Sequence, residues 1–527
     1  MKILTLHVQG HDANATYYDG TEVKYILLER VKQVKKYAYE HYEFAKIAND
    51  LKVLNIDWQN LDVFAFDMLQ PKGVDWDWKF TDGPVREVSQ DLIEEAFPFL
   101  PVRAKKYYRV LHHYAHRRCA DWLFGDTQKA LVIDGHGDYH EHISVFDGDK
   151  KTVEHVSTEM FSIGRLYALA SLLFISNPVA RPGGTIDQVG KLMGLMSYGE
   201  FNESYAKYLR KFSFKEVTAQ MYNRVLFEQH QYLKKPEFIS ECTQDSIGIT
   251  PNFDAIDWIH TWQEVLFDYM IEFCKEHFDK NERFTYSGGV AHNVCFNERL
   301  SKEFPNVMIP PCVGDEGLSL GMMHEIASMN DLILSFPTGQ YTDETLYTPS
   351  SETIGIMADY ISHSNIVCNF QSSSEIGPRA LGRRSIFYRT DQINVPKLMN
   401  MRKIKSREWW RPYGIIILEE ELENYLDTKT KSPYMLHTAQ VKNRKALQGV
   451  VHVDNSVRYQ TVNEDDGWLY DLVKRVYELT GTPAIVNTSL NAQGFPIVYD
   501  EAQMKEYMQL VPSDIFVIGN EIYGNEK

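Results

Sequence analysis

Long apolar runs are missing. No stretch approaches the ~18 residues that a membrane-crossing helix needs, so no membrane span is expected. The opening residues, Met1 to His7, turn polar too soon for a signal peptide. Cationic excess is missing as well: 55 Lys and Arg face 72 Asp and Glu, a formal net charge of −17. A general binder of duplex nucleic acid needs a basic footprint. The chain as a whole does not supply one, which still leaves room for a local basic cleft around a phosphorylated ligand. Paired cysteine motifs are absent, because Cys119, Cys242, Cys274, Cys295, Cys312 and Cys368 form no C-x-x-C. Scattered thiols in a long chain read as reduced, so a cytoplasmic location is expected. No low-complexity segment occurs. What is present is 527 residues, 44% of them hydrophobic, enough for about two to four domains with cores of their own.

The patterning is α/β. Residues 3–8 alternate weakly, Asp19-Gly20 supplies a turn and residues 21–28 return, which predicts a β-hairpin. A similar pattern recurs at residues 130–134 and 142–146 with Asp147-Gly148 as its turn, a coarse internal duplication. Residues 40–54 and 110–123 have helical period, and a long helix is predicted over 258–278. A strand over 283–287 then enters Gly288-Gly289, with a helix beginning near Asn293. Strand, Gly-Gly turn and helix N-terminus make a phosphate cradle, because free N–H groups point at the anion. Residues 335–353 are rich in Pro, Gly, Ser and Thr, and the domain boundary is placed there. Beyond it, strands at 414–418 and 484–487 and a helix at 468–479 predict a second α/β domain.

Several constellations carry chemistry. His112 and His116, in His112-His113-Tyr114-Ala115-His116, share one helical face and can chelate one ion. The Glu of a zinc-protease H-E-x-x-H is replaced by His113, which weakens a peptidase reading. The pair alone does not separate a ligand set from two ordinary histidines. Asp134 ends an apolar strand, and Asp315 sits between Gly314 and Gly317. Acids at such places suit ions and phosphates, and also suit turns. Two imidazoles with carboxylates accommodate Fe(II), Mn(II) or Zn(II). Lys191, between Gly190 and Gly194, suits a phosphate contact, although the segment fails the P-loop spacing and lacks its Ser or Thr. His11, with Asp12, follows the first strand and can serve as a general base. In the last third, Arg379, Arg383, Arg384, Lys403, Lys405, Arg407, Arg411 and Arg458 gather in a chain that is otherwise acidic. Arginine forks bind phosphate oxygens bidentately, and Asn487-Thr488-Ser489 at a strand end offers further donors.

In order along the chain, these motifs resemble the O-carbamoyltransferase family of nodulation-factor, cephamycin, ansamycin and tobramycin enzymes. The resemblance spans nearly the whole sequence. It runs through Gly10 to Ala13, Glu29-Arg30 with Lys32, Lys35 and Lys36, His112 to His116, Asp134-Gly135, Gly190 to Leu195, Ser287 to Asn293 and Gly314-Asp315. It continues with Gly377 to Gly382, Lys405 to Pro412, His452 to Asp454 and Asn487 to Asn491. The family implies a duplicated actin-like (ribonuclease H-like) N-terminal domain, residues 1–340, and a YrdC-like α/β C-terminal domain, residues 350–527. It implies an ATP-dependent transfer. The C-terminal domain would convert carbamoyl phosphate to carbamate and join it to AMP, and carbamoyladenylate would meet an acceptor hydroxyl in the N-terminal domain. By resemblance, His112, His116, Asp134 and Asp315 hold a metal, usually iron, and Mg(II) accompanies ATP. His11 takes the acceptor proton. Lys191, Gly288, Gly289 and Asn293 hold the nucleotide, and Arg379, Lys405, Arg407, Arg411, Arg458, Asn487 and Ser489 hold carbamoyl phosphate and ATP phosphates. A homodimer is compatible with the family. Asn14 stands where the family often has Ser, Trp409-Trp410 where one aromatic is usual, and the chain is somewhat short; these departures bear on the acceptor pocket.

The acceptor is left open between a sugar or polyketide hydroxyl and a hydroxymethylated pyrimidine, free or in DNA. For the latter, residues 103–109 mix cations with aromatics as single-strand binders do, or form a helix entry with a solvated basic face, and Trp76 and Trp78 could stack on a flat acceptor. A tRNA threonylcarbamoylation factor is the second reading, disfavoured by the fused C-terminal motifs and the acidity. A non-catalytic actin-type nucleotide switch is the third, disfavoured because such a switch needs no transition metal.

Overall fold

The computed structural model describes residues 1–67, 83–148, 150–156, 162–174, 186–214, 253–344 and 346–524. Its first sheet opens with β1 (Ile3–His7), β2 (Asn14–Tyr18) and β3 (Val23–Leu27), which pair antiparallel in turn. This is a three-stranded meander where the sequence predicted one hairpin. Asp19-Gly20 joins β2 to β3 as expected, but an earlier reversal separates β1 from β2. Gly10 (φ 78°) and Asp12 (φ 57°) make it by entering the left-handed region that glycine and aspartate tolerate. β4 (Leu61–Phe66) and β6 (Ala104–Val110) extend the sheet in parallel, and β5 (Val85–Val88) closes its edge, giving the order β3-β2-β1-β4-β6-β5.

The second sheet repeats the plan. β7 (Lys129–Ile133), β8 (Glu141–Asp147) and β9 (Lys150–Val156) form the meander, and β10 (Phe284–Ser287) and β11 (Val307–Met308) add in parallel, in the order β9-β8-β7-β10-β11. The duplication expected from the recurring hairpins is therefore a duplication of whole sheets. Helix His112–Phe124 follows β6, and helix Leu318–Ser328 follows β11. They cross closely, since a Cβ at Gly321 would meet the Ala115 carbonyl oxygen at 1.8 Å. Leu318, Met322 and Ile326 pack there with Ala115 and Cys119.

Residues 40–54 are not one helix. They make three short turns, His41–Lys46, Ile47–Asp50 and Lys52–Leu54, which keep Phe44, Ile47, Leu51 and Leu54 on the buried side. The basic-aromatic segment at 103–109 belongs to β6 rather than to a helix entry. Tyr107 and Tyr108 alternate into cores on opposite faces, and Arg109 is spent on Asp138 at 2.7 Å. It offers no stacking platform for bases. Trp76 and Trp78 lie outside the described residues.

The third sheet has eight strands: β12 (Val367–Phe370), β13 (Arg384–Arg389), β14 (Gly414–Leu418), β15 (His437–Gln440), β16 (Ser456–Val462), β17 (Ala484–Ser489), β18 (Ile515–Ile518) and β19 (Glu521–Gly524). Their order is β15-β16-β14-β17-β13-β12-β18-β19. β14 alternates, with Ile416 and Leu418 under helices Ser351–Ser362 and Trp468–Thr480 and with Ile415 and Ile417 in the opposite core. The described residues of 335–350 run as irregular chain packed against both parts, and the last three positions of the expected boundary, 351–353, open helix Ser351–Ser362. Gln340 Oε1 accepts the Leu27 N–H at 3.1 Å while its Nε2 donates to the Glu375 carbonyl at 3.2 Å. Buried Arg30 donates to Ser374 Oγ and to the Gly377 carbonyl, each at 2.8 Å. No described helix is long and apolar enough to cross a membrane.

Candidate functional site

The ends of the parallel strands converge between the two repeats, where open α/β sheets place their ligands. Helix His112–Phe124 starts at once after β6. The buried Asp138 carboxylate receives the His112 backbone N–H, supplying the cap that Leu111 cannot and a negative charge at the positive end of the helix. One turn apart, His112 and His116 bring their Nε2 atoms to 3.2 Å from each other. Asp134, directly after β7, brings Oδ2 to 3.3 Å from His112 Nε2. Asp315, after β11, brings Oδ1 to 3.5 Å from both Nε2 atoms. Ligand atoms of all four buried residues lie within 4.8 Å of one another.

This arrangement fits a cation. Two imidazole nitrogens cannot both donate to each other, and Asp315 Oδ1 makes no hydrogen bond among the described residues. Two imidazoles and two carboxylates are the donor set the sequence placed among Fe(II), Mn(II) and Zn(II). Burial opposes charge on His112, but Asp315, Asp134 and Asp67 outweigh it and hold its pKa well above the usual value. Burial likewise opposes charge on Asp315, yet His11 and His112 keep its carboxyl well below the ordinary range. Asp134 Oδ1 is steadied by the Gly289 N–H at 2.6 Å. Behind it, a Cβ at Gly288 (φ 94°) would strike the Ile133 carbonyl oxygen at 2.3 Å, so β10 can approach β7 this closely only with glycine there.

His11 borders this centre. Its Nδ1 lies 2.9 Å from Asp12 Oδ2 and 3.5 Å from Asp315 Oδ2. Burial opposes its charge, but Asp315 and Asp12 raise its pKa to about 9. Lys36 holds Asp12 from the other side at 2.7 Å. Asn14, the departure from the usual Ser, donates to the backbone oxygens of Asp12 and Asp315 at 2.7 and 2.8 Å. It splices the His11 turn to the Asp315 loop. Next along, buried Glu316 lies 3.5 Å from His292 Nε2.

A second cluster lies on the third sheet. Arg458, Gly414 and Asn487 occupy one row across β16, β14 and β17. Burial lowers the Arg458 pKa well below the usual value, and Arg379, Arg407 and Arg411 push the same way. Burial and Arg407 do likewise to Lys405. Since guanidinium groups stay protonated, these shifts describe cations crowded without enough anions. Among the described residues, the buried Nε atoms of Arg379 and Arg458 have no hydrogen-bond partner, nor does Asn487 Oδ1. Lys405 Nζ reaches Ser489 Oγ at 3.3 Å. Arg407 donates to Thr488 Oγ1 at 2.7 Å and stacks on Tyr413. The two clusters adjoin: a Cβ at Gly377 would meet the Pro311 carbonyl oxygen at 2.3 Å, so the loop leading to Arg379 lies against the chain leading to Asp315, and Glu316 is the anion that opposes the burial-driven lowering of the Arg379 pKa.

Two expected nucleotide contacts have other duties. Lys191 lies within helix Ile186–Met196, not in a loop, and pairs with Glu408 at 2.7 Å. Asn293 caps helix Val294–Glu303, its Oδ1 accepting from Cys295 and Phe296 N–H while Nδ2 donates to Tyr167. Sequence reasoning passed over Asp67, His7, Asp138 and Glu316. Asp67 follows β4 as Asp134 follows β7, but it lacks the adjoining glycine that singled out Asp134-Gly135.

The scaffold and its two adjoining centres are those of a two-part α/β transferase. The chain belongs to the carbamoyltransferase family. The model of the carbamoyltransferase N-terminus matches residues 101–323, and that of the carbamoyltransferase C-terminus matches residues 358–524. Among curated proteins, an uncharacterized protein of Methanocaldococcus jannaschii is 27% identical over 458 residues, covering 80% of this chain and 84% of its own. The 3'-hydroxymethylcephem-O-carbamoyltransferase of Amycolatopsis lactamdurans is 24% identical over 415 residues, 76% of this chain and 74% of its own. Of solved structures, full-length HypF aligns at 16% identity with a TM-score of 0.35, over 63% of this chain and 56% of its own.

Proposed function

We propose that this protein is an ATP-dependent O-carbamoyltransferase that draws on carbamoyl phosphate and works through carbamoyladenylate. The observation that carries the reading is the convergence of His112, His116, Asp134 and Asp315 within 4.8 Å next to a crowd of buried cations. Carbamate is a poor electrophile, and adenylation gives it a good leaving group. Water would hydrolyse carbamoyl phosphate to carbamate and inorganic phosphate, the carbamate oxygen would attack the α-phosphorus of ATP with pyrophosphate leaving, and the acceptor hydroxyl would then attack the carbamoyl carbon and release AMP. Arg379, Lys405, Arg407, Arg411 and Arg458, with Asn487 and Ser489, would hold the phosphate oxygens of both substrates and of Mg(II)-bound ATP. The N–H groups of Gly288 and Gly289 are given to the Val313 carbonyl at 2.7 Å and to Asp134 Oδ1 at 2.6 Å, so these glycines would serve the adenylate by holding Asp134 in place rather than by cradling a phosphate. Lys191 and Asn293 would act one step removed, through Glu408 and the helix cap.

An ion such as Fe(II), when bound, would offset the Asp315 charge and act as a Lewis acid toward the carbamoyl oxygen. Donating Nδ1–H to Asp12 leaves Nε2 as the basic nitrogen of His11, which would take the proton of the acceptor hydroxyl. The acceptor would be a natural-product hydroxyl or a hydroxymethylated pyrimidine. Incubation with ATP, carbamoyl phosphate and a panel of both classes tests the reading. Expected are pyrophosphate release that requires carbamoyl phosphate and, by mass spectrometry, one carbamoyl group gained by an acceptor. Pyrophosphate release indifferent to carbamoyl phosphate would overturn it.

A further inference from the structure

His7 ends β1 and Asp67 follows β4. The two strands run parallel with Leu6 opposite Phe66, so the next residue of each meets the other at the cleft end of the ladder. Both are buried, at 2% and 1% exposure. His7 Nδ1 lies 2.8 Å from Asp67 Oδ1 and 3.0 Å from Oδ2. His112 Nδ1 lies 3.2 Å from the same Oδ2. The other nitrogen of His7 lies 3.0 Å from the His11 backbone oxygen and 3.7 Å from Asp315 Oδ2. A buried carboxylate is costly unless fully hydrogen-bonded, and this one is satisfied by two imidazoles that lead to two different parts of the centre.

We infer that Asp67 and His7 are positioning residues that set the geometry of the ion-binding histidine and of the His11 turn from one shared carboxylate; this rests on the function proposed above. By accepting His112 Nδ1–H, Asp67 fixes the tautomer whose Nε2 lone pair faces Asp134, Asp315 and His116. Carboxylate, histidine and ion in that order is the outer-shell arrangement that orients metal ligands and raises their basicity. His7 ties the same carboxylate to the His11 carbonyl at 3.0 Å, adding a second tie to a turn that Asn14 already joins to the Asp315 loop. Ligand and base are thus registered to each other before any substrate arrives.

Binding of Co(II) to the full chain, followed by calorimetry and visible absorption, tests this with Asp67→Asn, Asp67→Glu, His7→Asn and His112→Ala. Asp67→Asn is expected to weaken Co(II) binding ~10–100-fold and to alter the absorption band, with Asp67→Glu between it and the wild type. His7→Asn is expected to lose less Co(II) affinity than Asp67→Asn while lowering kcat for carbamoyl transfer and sparing pyrophosphate release. Wild-type affinity and spectrum in Asp67→Asn, with Co(II) lost in His112→Ala, overturn the role of Asp67; wild-type transfer in His7→Asn overturns that of His7. Should the Asn variant not fold, an unchanged Co(II) spectrum in Asp67→Glu overturns the proposal equally. Wild-type Co(II) binding in His112→Ala would instead defeat the reading of the centre itself.

Discussion

The Nε2 atoms of His112 and His116 lie 3.2 Å apart, and Asp315 Oδ1 lies 3.5 Å from each. Among the described residues, Asp315 is the one acid that lies equally near both rings of the helix, so its loss should cost the centre more than loss of an outer-shell partner. Asp315→Ala is expected to reduce ion affinity by more than the ~10–100-fold typical of such a partner. Metal analysis after dialysis against a fixed free-ion concentration checks it, and full ion content in the variant contradicts it.

On the proposed function, His11 would separate the two half-reactions. It borders the quartet and lies on the first repeat, whereas the cation cluster is built on the third sheet. His11→Ala should leave carbamoyl-phosphate-dependent pyrophosphate release near the wild-type rate while transfer falls ~10²–10⁴-fold, the usual worth of a positioned base. Pyrophosphate release and acceptor carbamoylation, measured in the same mixture, check it. Loss of both would remove His11 from the role of base.

Much of this was legible because the signals were local. Two histidines one helical turn apart, acids that end apolar strands and glycines flanking them gave the quartet, and recurring Asp-Gly turns gave the duplication. Long-range pairings were not legible. Nothing near Lys191 announces Glu408, and nothing near Arg379 announces Glu316. The reversal between β1 and β2 was hidden because one of its two left-handed residues, Asp12, is not glycine. Asn293 carried a readable cap signal, an Asn just before a helix, which the neighbouring Gly-Gly overshadowed. Asp67 was lost for lack of a glycine beside it.

Crowded cations make a stability prediction opposite to the functional one. Arg458 is pressed by Arg379, Arg407 and Arg411, and replacing a poorly compensated buried charge by an apolar side chain of similar length is often stabilising. Arg458→Met should raise the melting temperature in phosphate-free buffer by about 2–4 °C if the part that carries it melts as a unit, the shift that ~1 kcal/mol gives a domain of about 150–250 residues. On the proposed function ATP should stabilise the wild type, and the same variant should lose most of that stabilisation. Thermal melts with and without ATP check both signs. A lower melting temperature without ATP would mean that Arg458 is held by partners rather than waiting for an anion.

Lys405 ties that cluster to pH. Burial, and then the charge of Arg407, hold its pKa well below the ordinary lysine value. The folded-state pKa therefore lies below the unfolded one, and between the two the unfolded chain binds more protons. In that window stability contributed through Lys405 rises with pH, and the contribution is lost as pH falls through the folded value. A bound polyanion reverses the local field and favours the charged form, so ATP binding should take up protons, increasingly as the solution becomes alkaline. Calorimetry in two buffers of different ionisation enthalpy reads this as a buffer-dependent binding heat. Lys405→Met should bind ATP more weakly and show a smaller proton uptake. Uptake of the same size in Lys405→Met would assign the proton to another group and leave Lys405 a charged residue throughout.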